Sequence, residues 1–230
     1  MTGIPDDLDD LRLPVPADRT KNQGQMAAGV KTSKFPRTSR REDRIAAVLD
    51  RRQPTLTVVL EDIHDPHNAS AVLRACDAVG VLDVHLVYVL ESPPRKSFYR
   101  TTSGSAAKWL GIHTFDSVES CYAHLKDAGF RIFATALRDD THDLYSLDLT
   151  QPTALVFGNE HRGVSEPGVE LADGTVGIPM NGMVESLNIS VASAVSLYEA
   201  MRQRREAGMY AKPQLSPLDL AQQKVEWIRK

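Results

Sequence analysis

Two cysteines in 230 residues, Cys76 and Cys121, are too few for a disulfide framework and supply no zinc site, so the chain reads as one suited to a reducing compartment. Aromatic residues are also scarce, at 6%. Hydrophobic residues nonetheless reach 42% and charged residues 25%, which excludes a collagen-like, coiled-coil or wholly disordered chain. No apolar run approaches the roughly 18 residues that crossing a bilayer requires. The opening MTGIPDDLDDLRLP is acidic where a secretory signal would be basic and then apolar, so a cytoplasmic location and no membrane partner are expected. A P-loop, a G-x-G-x-x-G after the first β-branched run and a G-x-S-x-G elbow are all missing, and with them the usual signatures of nucleotide folds and serine hydrolases. Seven histidines show no ligand spacing with a cysteine or with a second histidine on a helix, so no metal is expected.

What is present is unevenly placed. The net charge of −3 divides into −4 over residues 1–18, +7 over 19–52 and −6 over 53–230. A basic block on an otherwise acidic chain suggests a polyanion partner, although a solvated basic tail has the same composition. Residues 1–38 carry prolines and glycines without a sustained apolar period and read as a disordered arm. From Ser39 the period changes to that of a helix, REDRIAAVLDRR, with Ile45, Val48 and Leu49 on one stripe and arginines around the rest. Residues 39–54 thus form a basic N-terminal helix.

Beyond Pro54, strand and helix patterns alternate. TLTVVLEDI (55–63) is a buried strand, and Asn68 opens a helix that Gly80 stops. VHLVYVL (84–90) is a strand, and residues 91–108 a Ser/Thr/Gly-rich loop. WLGIHTF supplies a short strand and DSVESCYAHLKDAG a helix capped by Asp116. FRIFATAL and TALVFG are strands, followed by a short helix near 165–172 and a last strand, TVGIP. A helix from about Leu187 to Glu206 places Leu187, Val191, Val195, Tyr198 and Met201 on one face, and residues 216–229 suit one more helix. The alternation predicts an α/β domain over 55–208 with a largely parallel sheet, helices on both faces, and ligand chemistry at the carboxyl ends of the strands. Residues 209–230 form a helical extension.

Three stretches carry candidate chemistry. HDPHNASAVLRA (64–75) sets Asn68 at a helix start and Arg74 two turns along. Those residues also suit an N-cap and an arginine paired with Ser70 or Asp77 on its own helix. FGNEHRG (157–163) holds Glu160 between Gly158 and Gly163 directly after a buried strand, in a loop that lets backbone approach a ligand or that merely turns into the next helix. IPMNGMVESLNIS (178–190) delivers Ser186 and Asn188 to the head of a helix rich in small residues, and its Met180 and Met183 suit a polarizable apolar wall or a core loop.

In this order, N-x-x-x-x-x-R, G-x-E-x-x-G and IPM…SLN resemble the three motifs of the SPOUT superfamily of RNA methyltransferases. RRQPTLTVVLEDIHDPHNASAVLRACDAVGV and MNGMVESLNISVASAVSLYEAMRQRREAGMY resemble the bacterial TrmH type, the tRNA (guanosine-2′-O)-methyltransferases acting on the D-loop guanosine at position eighteen. The resemblance runs from about Arg40 to Lys230. It implies a deep C-terminal trefoil knot, S-adenosylmethionine as cofactor and a homodimer. It implies catalytic roles for Arg74, Asn68, Glu160, Ser186 and Asn188. The cofactor pocket would comprise Thr135, Leu137, Gly158, Ile178, Met180, Met183 and Leu187. By the family's use of terminal helices, tRNA would be held by Arg41, Arg44 and Arg52 at one end and Arg202 and Arg204 at the other; no DNA partner is implied. Two positions depart from the family pattern: Asp65 precedes P-H-N where a basic residue is usual, and Glu185 precedes S-L-N where glutamine is common. The alternatives are a 2′-O-methyltransferase of ribosomal RNA, which shares all three motifs, and a non-catalytic RNA-binding module. A hydrolase using Ser186 lacks a candidate base.

Overall fold

The computed structural model describes residues 39–92 and 106–230. The expected arm at 1–38 and most of the 91–108 loop lie outside the described residues. Six helices follow in order: α1 (Ser39–Leu49), α2 (Pro66–Val79), α3 (Val118–Asp127), α4 (Glu166–Glu170), α5 (Ile189–Glu206) and α6 (Pro217–Arg229). Seven strands interleave with them: β1 (Leu56–Glu61), β2 (Asp83–Val87), β3 (Gly111–Phe115), β4 (Arg131–Thr135), β5 (His142–Asp143), β6 (Thr153–Phe157) and β7 (Gly174–Gly177).

The strands form one sheet in the order β3-β2-β1-β6-β4-β7-β5, and every described pairing is parallel. Parallel sheets are buried on both faces, and alternate residues of the central strands divide accordingly. Leu56, Val58 and Leu60 of β1 join Leu155 and Phe157 of β6 in a core shared with α2 (Val72, Leu73, Cys76) and α5 (Leu197, Ala200). Val59, Ala154 and Val156 face the other way, into a core with Val118, Cys121, Tyr122 and Leu125 of α3 and with Val169 of α4. The expected two-faced α/β sheet is thereby observed. All carboxyl ends lie along one edge, so the loops after β1, β4, β6 and β7 meet there.

The start of α2 differs from expectation. Pro66 is the first helical residue, and Asp65 caps the helix, its carboxylate accepting from His67 N at 2.8 Å. Proline at that position loses only an amide that the helix leaves unpaired anyway, and its fixed φ favours the turn. Asn68 is therefore released from capping and lies in the first turn. Gly80 ends α2 at φ +87°, a conformation open to glycine without strain. Ser117, not Asp116, caps α3, and the two-residue strand β5 was too short to leave a periodic signal.

A smaller core joins the chain ends: Ile45 and Leu49 of α1 pack with Leu82 and Trp227, and Leu220 and Ile228 of α6 close around them. Arg52 and Arg204, expected to bind RNA, are both fully buried at 0% exposure. Arg52 donates to Val81 O at 2.6 Å and pairs with Asp77, and Trp227 covers its guanidinium with the ring centroid 4.9 Å away. Arg204 donates to Leu149 O, Thr55 O and Gln151 O, each at 2.9 Å. No phosphate reaches either side chain, and both knit loops to the core instead.

Candidate active site

The loops after β4, β6 and β7 enclose a cavity of about 510 Å³, within the range of roughly 300–1,000 Å³ typical of small-molecule sites. Thr135, Leu137, Gly158, Ile178, Met180 and Leu187 all line it, as expected. Met183 does not. It is 99% exposed, on a bend beyond the wall that Met180 forms. Sequence reasoning passed over Asn159 and Ser196, which also line the cavity, and noted Glu185, which lines it too, only as a departure from the family pattern; the small residues of α5 were the available signal for Ser196. Gly158 is needed where it is, since a Cβ there would collide with the backbone of Gly163 and Val164. The β6–α4 loop thus doubles back tightly against the cavity floor.

At the cavity rim, three separated stretches are joined by one chain of hydrogen bonds. Glu160 accepts from Asn68 Nδ2 at 2.8 Å and from the backbone amides of His64 at 3.0 Å and Asp65 at 3.3 Å. The Asn68 carbonyl oxygen accepts from Asn188 Nδ2 at 3.2 Å. Asn188 also caps α5, its Oδ1 accepting from Ser190 N at 2.9 Å, so the helix head and the rim are held by one residue. Burial opposes charge on Glu160, but the hydrogen bonds from Asn68 and from backbone amides, His64 and Asp65 among them, outweigh it and hold the carboxyl below its ordinary range. Glu160 is therefore an acceptor that orients the Asn68 amide and is unsuited to carrying a proton at neutral pH.

Ser186 lines the cavity beside Asn188. Arg74 is not among the lining residues. It is exposed on α2, six positions beyond Asn68 and so rotated by about 240° around the helix. Among the described residues it has no hydrogen bond or ion pair; Asp77, one partner the sequence allowed it, is taken by Arg52. Arg74 is thus a free guanidinium on the same helix that presents Asn68. Of the other arginines, Arg44 is exposed on α1 and Arg41 donates to Ile228 O at 3.3 Å. Arg202 reaches solvent but is occupied by Glu199 and Glu206, each at 2.8 Å.

Fold and site together define an α/β enzyme whose ligand cavity lies at the carboxyl ends of a parallel sheet. Residues 55–198 match the SpoU rRNA methylase family, and the chain belongs to that family. It is 49% identical over 194 residues to a tRNA (guanosine(18)-2′-O)-methyltransferase of Thermus thermophilus, an alignment covering 84% of this chain and 98% of that protein. Among solved structures, a TrmH/SpoU tRNA modifying enzyme of A. aeolicus superposes with a TM-score of 0.75 at 38% identity, over 83% of this chain and 95% of that one. The SpoU methyltransferase AviRb of Streptomyces viridochromogenes, in complex with AdoMet, gives a TM-score of 0.61 at 28% identity, over 68% and 60% of the two chains.

Proposed function

We propose that this chain methylates the 2′-hydroxyl of the guanosine ribose at position eighteen of the tRNA D-loop, using S-adenosylmethionine. The family description alone points to ribosomal RNA. The observation that carries the tRNA reading is 49% identity to a tRNA enzyme across 98% of that enzyme's length. The rim supports catalysis over a binding module, since Glu160, Asn68 and Asn188 converge from three distant stretches on one point.

The cavity suits the cofactor. Leu137, Ile178, Met180 and Leu187 offer apolar walls to an adenine, the tightly folded loop at Gly158 brings backbone polar groups close, and Glu160 and Glu185 place carboxylates near a cationic ligand. Bound there, S-adenosylmethionine supplies an electrophilic methyl on a sulfonium. The remaining work falls to the chain: it must bring a weak nucleophile into line and ease the loss of its proton. Asn68, fixed by Glu160 and Asn188, orients the ribose. Ser186 and Asn188 hold the loop that covers it. Arg74 stays protonated, so its part is to grip a substrate phosphate in a bidentate contact and stabilise charge developing on the oxygen. A phosphate or water accepts the proton.

The finer architecture belongs to the same proposal. The sheet order sets β7 beyond β4, yet α5, which follows β7, packs against α2 beside β1. The chain between them must recross the carboxyl ends of β4 and β6, which supports a trefoil knot threaded through the β6–α4 loop. The enzyme acts as a homodimer: of the apolar face foreseen on α5, Val195 and Met201 pack against the core, but Val191 and Tyr198 stay 47% and 50% exposed and are left for a second copy to cover, while Ser193, Leu197, Ala200 and Arg204 face the core. RNA is held by Arg41 and Arg44 of α1 and by Arg205 at the end of α5, in place of the buried pair. No helix of the described residues is long and apolar enough to cross a membrane; an enzyme acting on tRNA would work in the cytoplasm, where tRNA is. The test is transfer of labelled methyl groups to unfractionated tRNA and ribosomal RNA, with the modified nucleotide mapped. A 2′-O-methylguanosine in the tRNA D-loop is expected; base methylation, or label confined to ribosomal RNA, overturns the reading.

A further inference from the structure

Asp62, the residue directly after β1, has a backbone φ of +48°, and among the described residues no other non-glycine lies at positive φ. Such a conformation is costly for a side chain with a Cβ and persists only where surrounding contacts over-determine it. Asp62 is 5% exposed, and both its carbonyl and its carboxylate are occupied. The carboxylate Oδ1 accepts from three successive amides, Val89 at 2.8 Å and Leu90 and Glu91 at 3.0 Å. The main-chain carbonyl accepts from Asn159 Nδ2 at 2.7 Å. Asn159, 4% exposed, in turn accepts at Oδ1 from His161 N at 2.9 Å and Arg162 N at 3.2 Å.

The contacts continue to the rim. Glu91, anchored through its amide, pairs with Arg162 at 3.1 Å and with His64 at 3.4 Å. His64 donates its amide to Glu160, and Arg162 is two residues beyond Glu160. Three loops, after β1, β2 and β6, therefore meet at Asp62 and enclose the Glu160–Asn68 pair from outside the cofactor cavity. We infer that Asp62 is a positioning residue for methyl transfer, its carboxylate bracing the substrate side of the rim and its left-handed backbone bracing the cofactor side through Asn159. This rests on the methyltransferase reading above.

The two halves of the device separate by substitution. Asp62→Gly keeps the backbone conformation, and so the carbonyl offered to Asn159, but removes the carboxylate. Asp62→Asn keeps an acceptor and tolerates positive φ. Asp62→Ala loses both the acceptor and the easy conformation. For the full-length enzyme, kcat and KM with tRNA, S-adenosylmethionine affinity by calorimetry, and amide exchange over 89–91 and 160–163 would be measured. In Asp62→Gly, kcat is expected to fall by about tenfold or more. Its cofactor affinity should stay within about threefold of wild type, and exchange should accelerate at 89–91. Asp62→Asn should retain kcat within about threefold, and only Asp62→Ala should also weaken cofactor binding. The inference is overturned if Asp62→Gly turns over like wild type, if asparagine fails to rescue, or if cofactor affinity falls with kcat in the glycine variant. Should the wild-type enzyme methylate no RNA, the functional reading fails by itself. Amide exchange and cofactor affinity then still decide whether the brace exists.

Discussion

Arg74 and Arg204 are both helical arginines, and their surroundings set opposite demands. Arg74 is exposed and unpaired among the described residues, so its value depends on what comes to it. Replacing it with alanine should lower kcat/KM for tRNA by about a hundredfold, the scale of losing one donor to a developing oxyanion, while cofactor affinity holds. Arg74→Lys should recover little of this, because a point charge does not reproduce the bidentate fork. Loss of cofactor binding in Arg74→Ala would instead place the residue in the cofactor site. Arg204 is buried, and desolvation pushes its pKa down to about 10. Its removal strands the carbonyls of Leu149, Thr55 and Gln151, and Arg204→Ala should cost about 3 kcal/mol or more. Denaturation would show that loss, and the folded fraction should still bind tRNA normally. Residue type concealed this difference, but spacing did not: Ser193, Leu197, Ala200 and Arg204 recur at helical intervals along the core face of α5, and Arg52 follows the buried Ile45 and Leu49 of α1 just past that helix's end.

At the scale of elements, most of the fold was legible because β-branched runs, helical stripes and glycine stops coincide with strands, helices and their ends. Six of seven expected cofactor residues line the cavity because the motif loops follow strands that can be located in advance. What stayed hidden depends on tertiary contact. Pro66 directly after Asp65 was a local sign of the earlier cap on α2, but nothing local says that Asp62 adopts a left-handed backbone, since its partners Val89 and Asn159 lie 27 and 97 residues away. The same holds for α1 and α6, whose pairing rests on Trp227. That ring is 2% exposed, packs 5.1 Å from the Trp109 ring and covers the Arg52 guanidinium. Trp227→Ala should remove about 3–5 kcal/mol from the docking of these helices. Amide exchange should then accelerate throughout α1 and α6 and stay unchanged in the sheet, and tRNA affinity should weaken as Arg41 and Arg44 lose a fixed platform. Cofactor affinity should not move. If exchange in α1 stays as slow as in wild type, the helix is held by contacts other than this ring.

For the molecule as a whole, pH adds a term set by one buried imidazole. His85, on β2, is 3% exposed, and its Nδ1 lies 3.0 Å from Thr57 Oγ1. The Thr57 hydroxyl already donates to Asp83 O at 2.7 Å, so it accepts from a neutral imidazole carrying its proton on Nδ1. Burial, reinforced by the charges of His113 and His124, pushes the His85 pKa down to about 3 from 6.5. The unfolded chain thus takes up this proton at a higher pH than the native protein. The stability is present in full above pH 6.5 and is lost as pH falls toward about 3. Near pH 5 the loss amounts to about 2 kcal/mol, from about 1.4 kcal/mol per pH unit. Glu61 works in the opposite sense: desolvation raises its pKa above 4.5, so its contribution declines as pH rises through that region. Comparing wild type with His85→Phe cancels the Glu61 contribution, since both proteins retain it. Denaturant titrations at pH 7.5, 6.5 and 5.5 should show the wild-type protein losing stability relative to the variant as pH falls, whatever constant offset the larger ring introduces. Parallel curves across that window would mean that His85 gains its proton in the native state as readily as in the unfolded chain, and that the acid sensitivity of the fold lies elsewhere.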